Sequence, residues 1–225
     1  MAANNPGNSR IRGLYAITPD LTDTQALCRL IESSILGGAS VIQYRNKRAD
    51  EKLRIEQSRA LLDICRRHQV PLIINDHVKL CLAVGADGVH VGGADGNLEE
   101  ARACLGNDKI LGTSCYNSLS LALEAQGKGA DYVAFGACFP SETKPQAPKA
   151  DISLFTKAQG VLAIPKVAIG GITQSNASQV IDAGAEAIAV ISALFSAQDI
   201  ALTAWHFTRL FNKSNHHDFT EPATI

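Results

Sequence analysis

The chain has 225 residues, of which 46% are hydrophobic and only 5% aromatic, so small and branched aliphatic side chains must fill its core. Its formal net charge is −1 at pH 7, which provides no overall field for nucleic acid or for a membrane surface. The longest apolar runs are strand-sized, and residues 1–10 are polar and rich in asparagine, so we expect neither a transmembrane helix nor a secretory signal.

Apolar runs and helical patterns alternate along the chain. Strands are predicted near residues 14–18, 41–45, 72–75, 89–91, 110–114, 132–135, 167–169 and 188–191. Helices are predicted near residues 23–36, 49–67, 78–84, 98–104, 119–126, 152–159, 176–182 and 199–211. A Pro-rich loop covers residues 136–149, and one domain, 13–212, is expected between flexible tails at 1–12 and 213–225.

A fourfold repeat organises these elements. The pattern Gly-Ala-polar, followed by a short apolar run, begins at Gly38, Gly85, Gly129 and Gly184, with spacings of 47, 44 and 55 residues. A helical pattern precedes each copy, so the glycine is interpreted as the residue that ends the helix. The spacing suits two βα units per copy, and four copies predict a (β/α)₈ barrel of the TIM type. The active-site residues of such barrels lie at the C-terminal ends of the strands.

Six cysteines are present without any CxxC spacing. This pattern favours free thiols in a reducing cytoplasm over a disulfide set or a thiolate metal site. We therefore expect a cytoplasmic protein.

Polar residues gather where the predicted strands end. They include cations, carboxylates, hydroxyl groups and a glycine pair: Gln43, Arg45, Lys47, Asn75, Asp76, His90, Asp95, Ser114, Ser141, Thr143, Lys144, Gly170, Gly171 and Ser192. This chemistry suits phosphate groups and a hard cation such as Mg²⁺. Asp76 and Asp95 follow adjacent strands and could share one ion, although Asp76 could instead cap the next helix. His90 is an alternative ligand, or a packed and hydrogen-bonded side chain.

The cations have two interpretations as well. Gln43, Arg45 and Lys47 alternate, so they point the same way and could bind phosphate or form a salt-bridged rim. Lys144 lies among prolines and beside hydroxyl residues, which favours a phosphate or lid role over a solvated loop. The Gly170–Gly171 pair could admit a phosphate to backbone N–H groups, or could only form a tight turn.

Several motifs together resemble the thiamine phosphate synthase family over roughly residues 13–211. They are Tyr15-Ala-Ile-Thr, Gln43-Tyr-Arg-Asn-Lys47, Asn75-Asp76, Gly88-Val-His-Val-Gly92 with Asp95, Phe139-Pro-Ser-Glu-Thr-Lys144, Ala168-Ile-Gly-Gly-Ile172 and Val190-Ile-Ser192. The resemblance implies a (β/α)₈ barrel that joins hydroxymethylpyrimidine diphosphate to thiazole phosphate. The implied products are thiamine phosphate and pyrophosphate.

The resemblance also implies a role for each matched residue. Asp76 and Asp95 would hold one Mg²⁺ ion. The diphosphate would be bound, and its departure assisted, by Arg45, Lys47, Asn75 and Lys144. The pyrimidine would be bound by Gln43 and Ser114, and the thiazole phosphate by Ser141, Thr143, Gly170, Gly171, Ile191 and Ser192. Partners would be small-molecule substrates, with a homo-oligomer left open.

Four positions depart from the family pattern: His77 replaces the usual arginine, Lys79 a common aspartate, Gly93 a frequent glutamine and Ser141 the usual threonine. The changes at positions 77 and 79 could alter the charge beside Asp76. The alternatives are a thiazole tautomerase of the same pathway and a non-catalytic phosphate-binding barrel. Neither alternative needs the carboxylate pair together with Lys144.

Overall fold

The computed structural model describes residues 11–92, 97–140 and 150–212. Eight parallel strands, numbered in chain order, form a closed barrel in which each strand pairs with its sequence neighbours and the eighth pairs with the first. They are β1 (Gly13–Ile17), β2 (Ala39–Tyr44), β3 (Leu72–Asn75), β4 (Gly88–Val91), β5 (Ile110–Tyr116), β6 (Tyr132–Phe135), β7 (Lys166–Ile169) and β8 (Ala187–Val190). The predicted (β/α)₈ barrel is therefore confirmed.

Helices separate the strands along the chain. They are α1 (Thr24–Leu36), α2 (Glu51–Arg67), α3 (Val78–Val84), α4 (Leu98–Leu105), α5 (Leu119–Gly127), α6 (Ser153–Ala158), α7 (Ala177–Asp182), α8 (Ser192–Phe195) and α9 (Ile200–Arg209). The sequence does not predict α8, which spans only 4 residues directly after β8. Its pattern is too short to show a helical period.

Buried side chains form two layers. Inside the barrel, Tyr15, Val41 and Tyr132 belong to one apolar cluster. Alternate residues such as Ile42 point outward and pack with the helices in a second, larger cluster. The sequence assigns Ile11 to the N-terminal tail, whereas the structure buries it in the interior cluster with 1% of its surface exposed. The remainder of that predicted tail and residues 213–225 lie outside the described residues.

The polar residue of each repeat ties two strands together at the base of the barrel. We call Ser40, Asp87, Asp131 and Glu186 the base ring. Each lies at the start of an even-numbered strand (β2, β4, β6 or β8). Each forms a hydrogen bond with the backbone near the start of the odd-numbered strand before it in the chain. The bonds are Leu14 O with Ser40 Oγ (3.2 Å), Leu72 N with Asp87 Oδ2 (2.9 Å), Leu111 N with Asp131 Oδ2 (2.8 Å) and Lys166 N with Glu186 Oε2 (2.7 Å).

The glycine of each repeat has the backbone conformation that its interpretation requires. Gly38, Gly85, Gly129 and Gly184 have φ of 99°, 76°, 85° and 111°. These values lie in the region that residues with a Cβ rarely adopt. The glycine therefore ends the helix, and the next residues start the strand.

All six cysteines are free thiols, four of them buried. Burial raises the pKa of the Cys65 and Cys115 thiols to about 12. Among the described residues, none of the helices has the length and apolar character needed to cross a membrane.

Candidate active site

A cavity of about 280 Å³ opens at the C-terminal ends of β2 and β3. The described part of its lining combines cations, one carboxylate and neutral polar groups. The lining residues are Tyr44, Arg45, Asn46, Lys47, Arg54, Asn75, Asp76 and His77. Four of the residues predicted at the site, Arg45, Lys47, Asn75 and Asp76, therefore share one cavity.

Thr18 fixes the backbone of β2 where the predicted cations follow it. This residue is fully buried just beyond the end of β1. Its N–H donates to Gln43 O at 2.9 Å, and its Oγ1 accepts from Arg45 N at 2.8 Å and donates to Arg45 O at 2.7 Å. A hydroxyl group that serves as both donor and acceptor satisfies the buried backbone at this point.

Asp20 contacts the side chain of Arg45 and the backbone of Lys47. Its Oδ1 accepts from Lys47 N at 3.0 Å and lies 3.4 Å from Arg45 Nη1. The predicted salt-bridged rim thus exists for Arg45, although the ion pair is long. The Lys47 side chain is exposed and forms no ion pair within the described part of the chain. Both cations keep donors that can bind an anion in the cavity.

The geometry of Asp76 excludes the helix-cap alternative. The N-cap of α3 is His77, which makes no side-chain capping bond. Asp76 has a φ of 60°, and its N–H donates to His90 O at 2.8 Å. Its Oδ2 accepts from Asn75 Nδ2 at 2.6 Å and its Oδ1 from Gly92 N at 3.2 Å. A left-handed aspartate held by three hydrogen bonds is typical of a functional position.

Ser114 and His90 belong to a hydrogen-bonded chain inside the barrel. His90 Nε2 lies 2.9 Å from Ser114 Oγ, and His90 Nδ1 lies 2.9 Å from the Tyr132 hydroxyl. The Tyr132 hydroxyl lies 2.8 Å from the Tyr15 hydroxyl. Burial lowers the pKa of His90 to about 4, although Asp76 opposes this shift. Both ring nitrogens are engaged, so His90 is the packed histidine and not a metal ligand.

Gln43 points into the barrel with Val41, two residues before it on β2. Its side chain is only 3% exposed. Within the part of the chain that the structure describes, its amide has no hydrogen-bond partner. Gln43 is not among the residues with a sealed, unpartnered polar atom, so its amide still reaches solvent and is suited to binding a polar ligand.

Gly170 and Gly171 follow β7 with φ of 96° and 62°. A Cβ on Gly170 would lie 2.6 Å from Ala137 Cβ, and one on Gly171 would collide with the carbonyl oxygens of Phe139 and Pro140. Phe139 N donates to Gly170 O at 3.0 Å. Glycine is therefore needed at both positions because the chain packs closely against the segment after β6, which agrees with the tight-turn interpretation.

The other predicted residues are only partly described. Ile191 and Ser192 lie at the end of β8, and Ser192 begins α8. Asp95, Ser141, Thr143 and Lys144 lie outside the described residues. Over residues 11–92, 97–140 and 150–212, no three His, Cys, Asp or Glu side chains are grouped as a metal site.

Sequence reasoning missed Thr18 as a backbone clamp, Asp20 as a partner of the cations, and Arg54. Arg54 had a detectable signal, because it precedes the buried Gln57 by three residues and Leu61 by seven on α2. That spacing places all three on one helix face. The Tyr15–Tyr132 contact had no such signal, since 117 residues separate the two.

Comparisons with known proteins agree with this geometry. A family model described as thiamine monophosphate synthase matches residues 14–194. A thiamine-phosphate synthase of Methylobacillus flagellatus is 59% identical over 202 residues, which cover 90% of this chain and 96% of the relative. One from Nitrosospira multiformis is 51% identical over 92% of this chain and 88% of its own length.

A solved structure gives the same result. The thiamine phosphate pyrophosphorylase of Pyrococcus furiosus superposes with a TM-score of 0.82 at 33% identity, covering 93% of this chain and 98% of that one. A 3-hexulose-6-phosphate synthase superposes with a TM-score of 0.65 at 18% identity, which reflects the fold alone. Fold and site together define a (β/α)₈-barrel enzyme with a cation-lined cavity at its strand ends. The chain belongs to the thiamine-phosphate synthase family.

Proposed function

We propose that this chain joins hydroxymethylpyrimidine diphosphate to thiazole phosphate, giving thiamine phosphate and pyrophosphate. The observation that carries the proposal is the shared cavity, in which Arg45, Lys47 and Asn75 stand beside an anchored Asp76. Cations and an amide suit the diphosphate, and a carboxylate suits its counter-ion. Membership of the thiamine-phosphate synthase family supports the same reaction.

Arg45, Lys47 and Asn75 would bind the diphosphate, with Lys144 from the loop after β6. Arginine contributes bidentate bonds and lysine a point charge. Because Thr18 and Asp20 hold the backbone around Arg45, the cations would meet the leaving group with little reorganisation.

Asp76 would hold one Mg²⁺ ion together with Asp95. The fit rests on Asp76: its carboxylate is exposed at the cavity, and hydrogen bonds from Asn75 and Gly92 fix its orientation. Magnesium commonly binds one or two carboxylates, with substrate phosphate and water completing its shell. When bound, the ion would supply positive charge to the departing diphosphate.

Gln43 and Ser114 would bind the pyrimidine. The Gln43 amide lacks a described partner, and the Ser114 hydroxyl is oriented by His90. The thiazole phosphate would lie beside them, where the loops after strands 7 and 8 of such barrels commonly bind phosphate. Ser141, Thr143, Gly170, Gly171, Ile191 and Ser192 would contribute hydroxyl and backbone groups there.

The reaction would be a dissociative substitution. The C–O bond to the diphosphate breaks, and pyrophosphate leaves with the bonding electrons while the aminopyrimidine donates electrons to the CH₂ carbon. The thiazole nitrogen then uses its lone pair to form the C–N bond. The protein aligns the partners and neutralises the developing charge, so no side-chain nucleophile is needed. His90 is neutral at pH 7 and acts as an orienting group for Ser114.

The test is pyrophosphate release from both substrates, with and without Mg²⁺. Asp76→Asn and Asp95→Asn should each lose most of the turnover while keeping the wild-type unfolding midpoint. Asp63→Asn, on the exposed face of α2, is the matched control and should leave the rate unchanged. Full activity in excess chelator would exclude the metal role.

The same assay separates the alternatives. A thiazole tautomerase would isomerise a thiazole carboxylate phosphate without releasing pyrophosphate, and a non-catalytic barrel would bind ligands without turnover. Either result with the wild-type protein would refute the proposed reaction. A cytoplasmic location remains a prediction of the sequence, which leaves the oligomeric state open.

A further inference from the structure

Arg54 lines the cavity but has no role in the reaction described above. It is half-buried on α2, and its guanidinium makes no hydrogen bond or ion pair within the described residues. Other arginines of the same helix are used differently. Arg67 pairs with Glu32 at 3.0 Å, and Arg59 is exposed on the surface. Arg54 is thus an inward-facing cation whose donors are available.

A buried polar cluster fixes α2 against the cavity at this point. Gln57, one turn after Arg54, is fully buried. Its Oε1 accepts from the Tyr44 hydroxyl at 2.9 Å and from Asn46 Nδ2 at 3.0 Å, and its Nε2 donates to Leu21 O at 2.9 Å. These bonds join the helix to the end of β2. They hold the Arg54 backbone in a defined position beside the cavity, which favours a binding role over a solvated one.

The charges in the cavity leave Arg54 the most available guanidinium. Arg45 forms an ion pair with Asp20, whereas Arg54 has no described carboxylate partner. Among the described residues that line the cavity, Asp76 is the one carboxylate. Three cations, Arg45, Lys47 and Arg54, line the cavity with that carboxylate, so an anion with more than one phosphate group would be favoured. Arginine binds phosphate with two parallel hydrogen bonds, which lysine cannot do.

The radial order of the residues indicates which phosphate Arg54 would meet. Gln43 points into the barrel, Arg45 and Lys47 lie just beyond the end of β2, and Arg54 lines the same cavity from α2, in the outer layer of helices. A pyrimidine near Gln43 would therefore place its first phosphate beside Arg45 and its terminal phosphate toward α2. We propose that Arg54 binds the terminal phosphate of the diphosphate and thereby discriminates a diphosphate from a monophosphate. This inference rests on the proposed function.

The experiment uses inorganic pyrophosphate with Mg²⁺ as a probe, and measures its dissociation constant by calorimetry. Arg54→Gln should weaken pyrophosphate binding by about tenfold or more, as expected for loss of a charge-assisted contact. It should also raise the KM for pyrimidine diphosphate and leave the KM for thiazole phosphate unchanged. Arg54→Lys should lose less, because it keeps the charge without the bidentate geometry. Arg59→Gln is the matched control on the same helix and should bind as the wild type does.

A second ligand separates this role from a structural one. Hydroxymethylpyrimidine monophosphate should bind the wild type and Arg54→Gln with similar affinity, whereas Arg45→Gln should weaken both ligands. Wild-type pyrophosphate affinity in Arg54→Gln, alongside a loss in Arg45→Gln, would overturn the role of Arg54 and leave the proposed function intact. If the wild-type protein binds no pyrophosphate, the role of Arg54 is refuted, whereas the proposed function stands or falls with the turnover assay.

Discussion

Asp131 should be a costly member of the base ring to remove. In Asp131→Ala, the buried N–H of Leu111 loses its acceptor, which costs about 1–3 kcal/mol. Arg102 also loses its carboxylate partner at 2.6 Å, but it keeps the Gly129 carbonyl oxygen as an acceptor, so a further ~1 kcal/mol is expected. The free energy of unfolding should therefore fall by about 3 kcal/mol, a large share of the ~5–15 kcal/mol typical of a domain.

Urea unfolding followed by the fluorescence of Trp205, the single tryptophan, measures this change. Asp131→Asn is the informative second variant, since its carbonyl oxygen can still accept from Leu111 N. It should lose only about 1 kcal/mol. Asp63→Ala, an exposed aspartate on α2, controls for charge and should change stability by less than about 0.5 kcal/mol. The reasoning is refuted if Asp131→Ala loses under about 1 kcal/mol, or if the two Asp131 variants are equally unstable.

Three further predictions concern the barrel interior and the site. Gly112→Ala should lower the thermal unfolding midpoint and the activity, because the added Cβ would collide with the Tyr132 ring; a wild-type midpoint would contradict this packing. His90 binds its proton at a pKa of about 4 when folded and near 6.5 when unfolded, so the unfolded chain takes up the proton first as the pH falls. Between pH 7 and pH 4 the free energy of unfolding of the wild type should therefore fall by about 3 kcal/mol more than that of His90→Gln, with both measured in chelator. Equal falls in the two proteins would refute this assignment. Lys144→Ala should lower kcat more than it raises the KM for thiazole phosphate, because the transition state loses about 2–4 kcal/mol of stabilisation. An unchanged kcat would mean that Lys144 is only a solvated loop residue.

The sequence predicted the barrel because its evidence is local and repeated. Each Gly-Ala-polar segment marks a helix end and a strand start, and the four copies give the number of strands without any knowledge of long-range contacts. The same alternation placed Arg45 and Lys47 correctly at the end of β2, where both line the cavity.

Long-range contacts could not be predicted in the same way. The bond between Tyr15 and Tyr132 exists only because the barrel closes, and it determines how His90 is used. Asp20 is equally ambiguous as a sequence feature, since an aspartate after a strand can end it, cap a helix or orient a neighbour. Its contact with Lys47 N depends on the register between β1 and β2.

The hydrogen-bonded chain beneath Ser114 has a consequence for the rate of substrate capture. Tyr15, Tyr132 and His90 are buried and uncharged at neutral pH, because burial raises the pKa of both tyrosines and lowers that of the histidine. These three side chains therefore bring no charge into the barrel interior, and an interior of low polarity weakens the field of the cations at the strand ends less than water does. Low-dielectric walls of this kind can accelerate the encounter with an oppositely charged ligand by about 10- to 1,000-fold at low ionic strength. A chain with a net charge of −1 can thus still attract a highly charged anion to one mouth of its barrel.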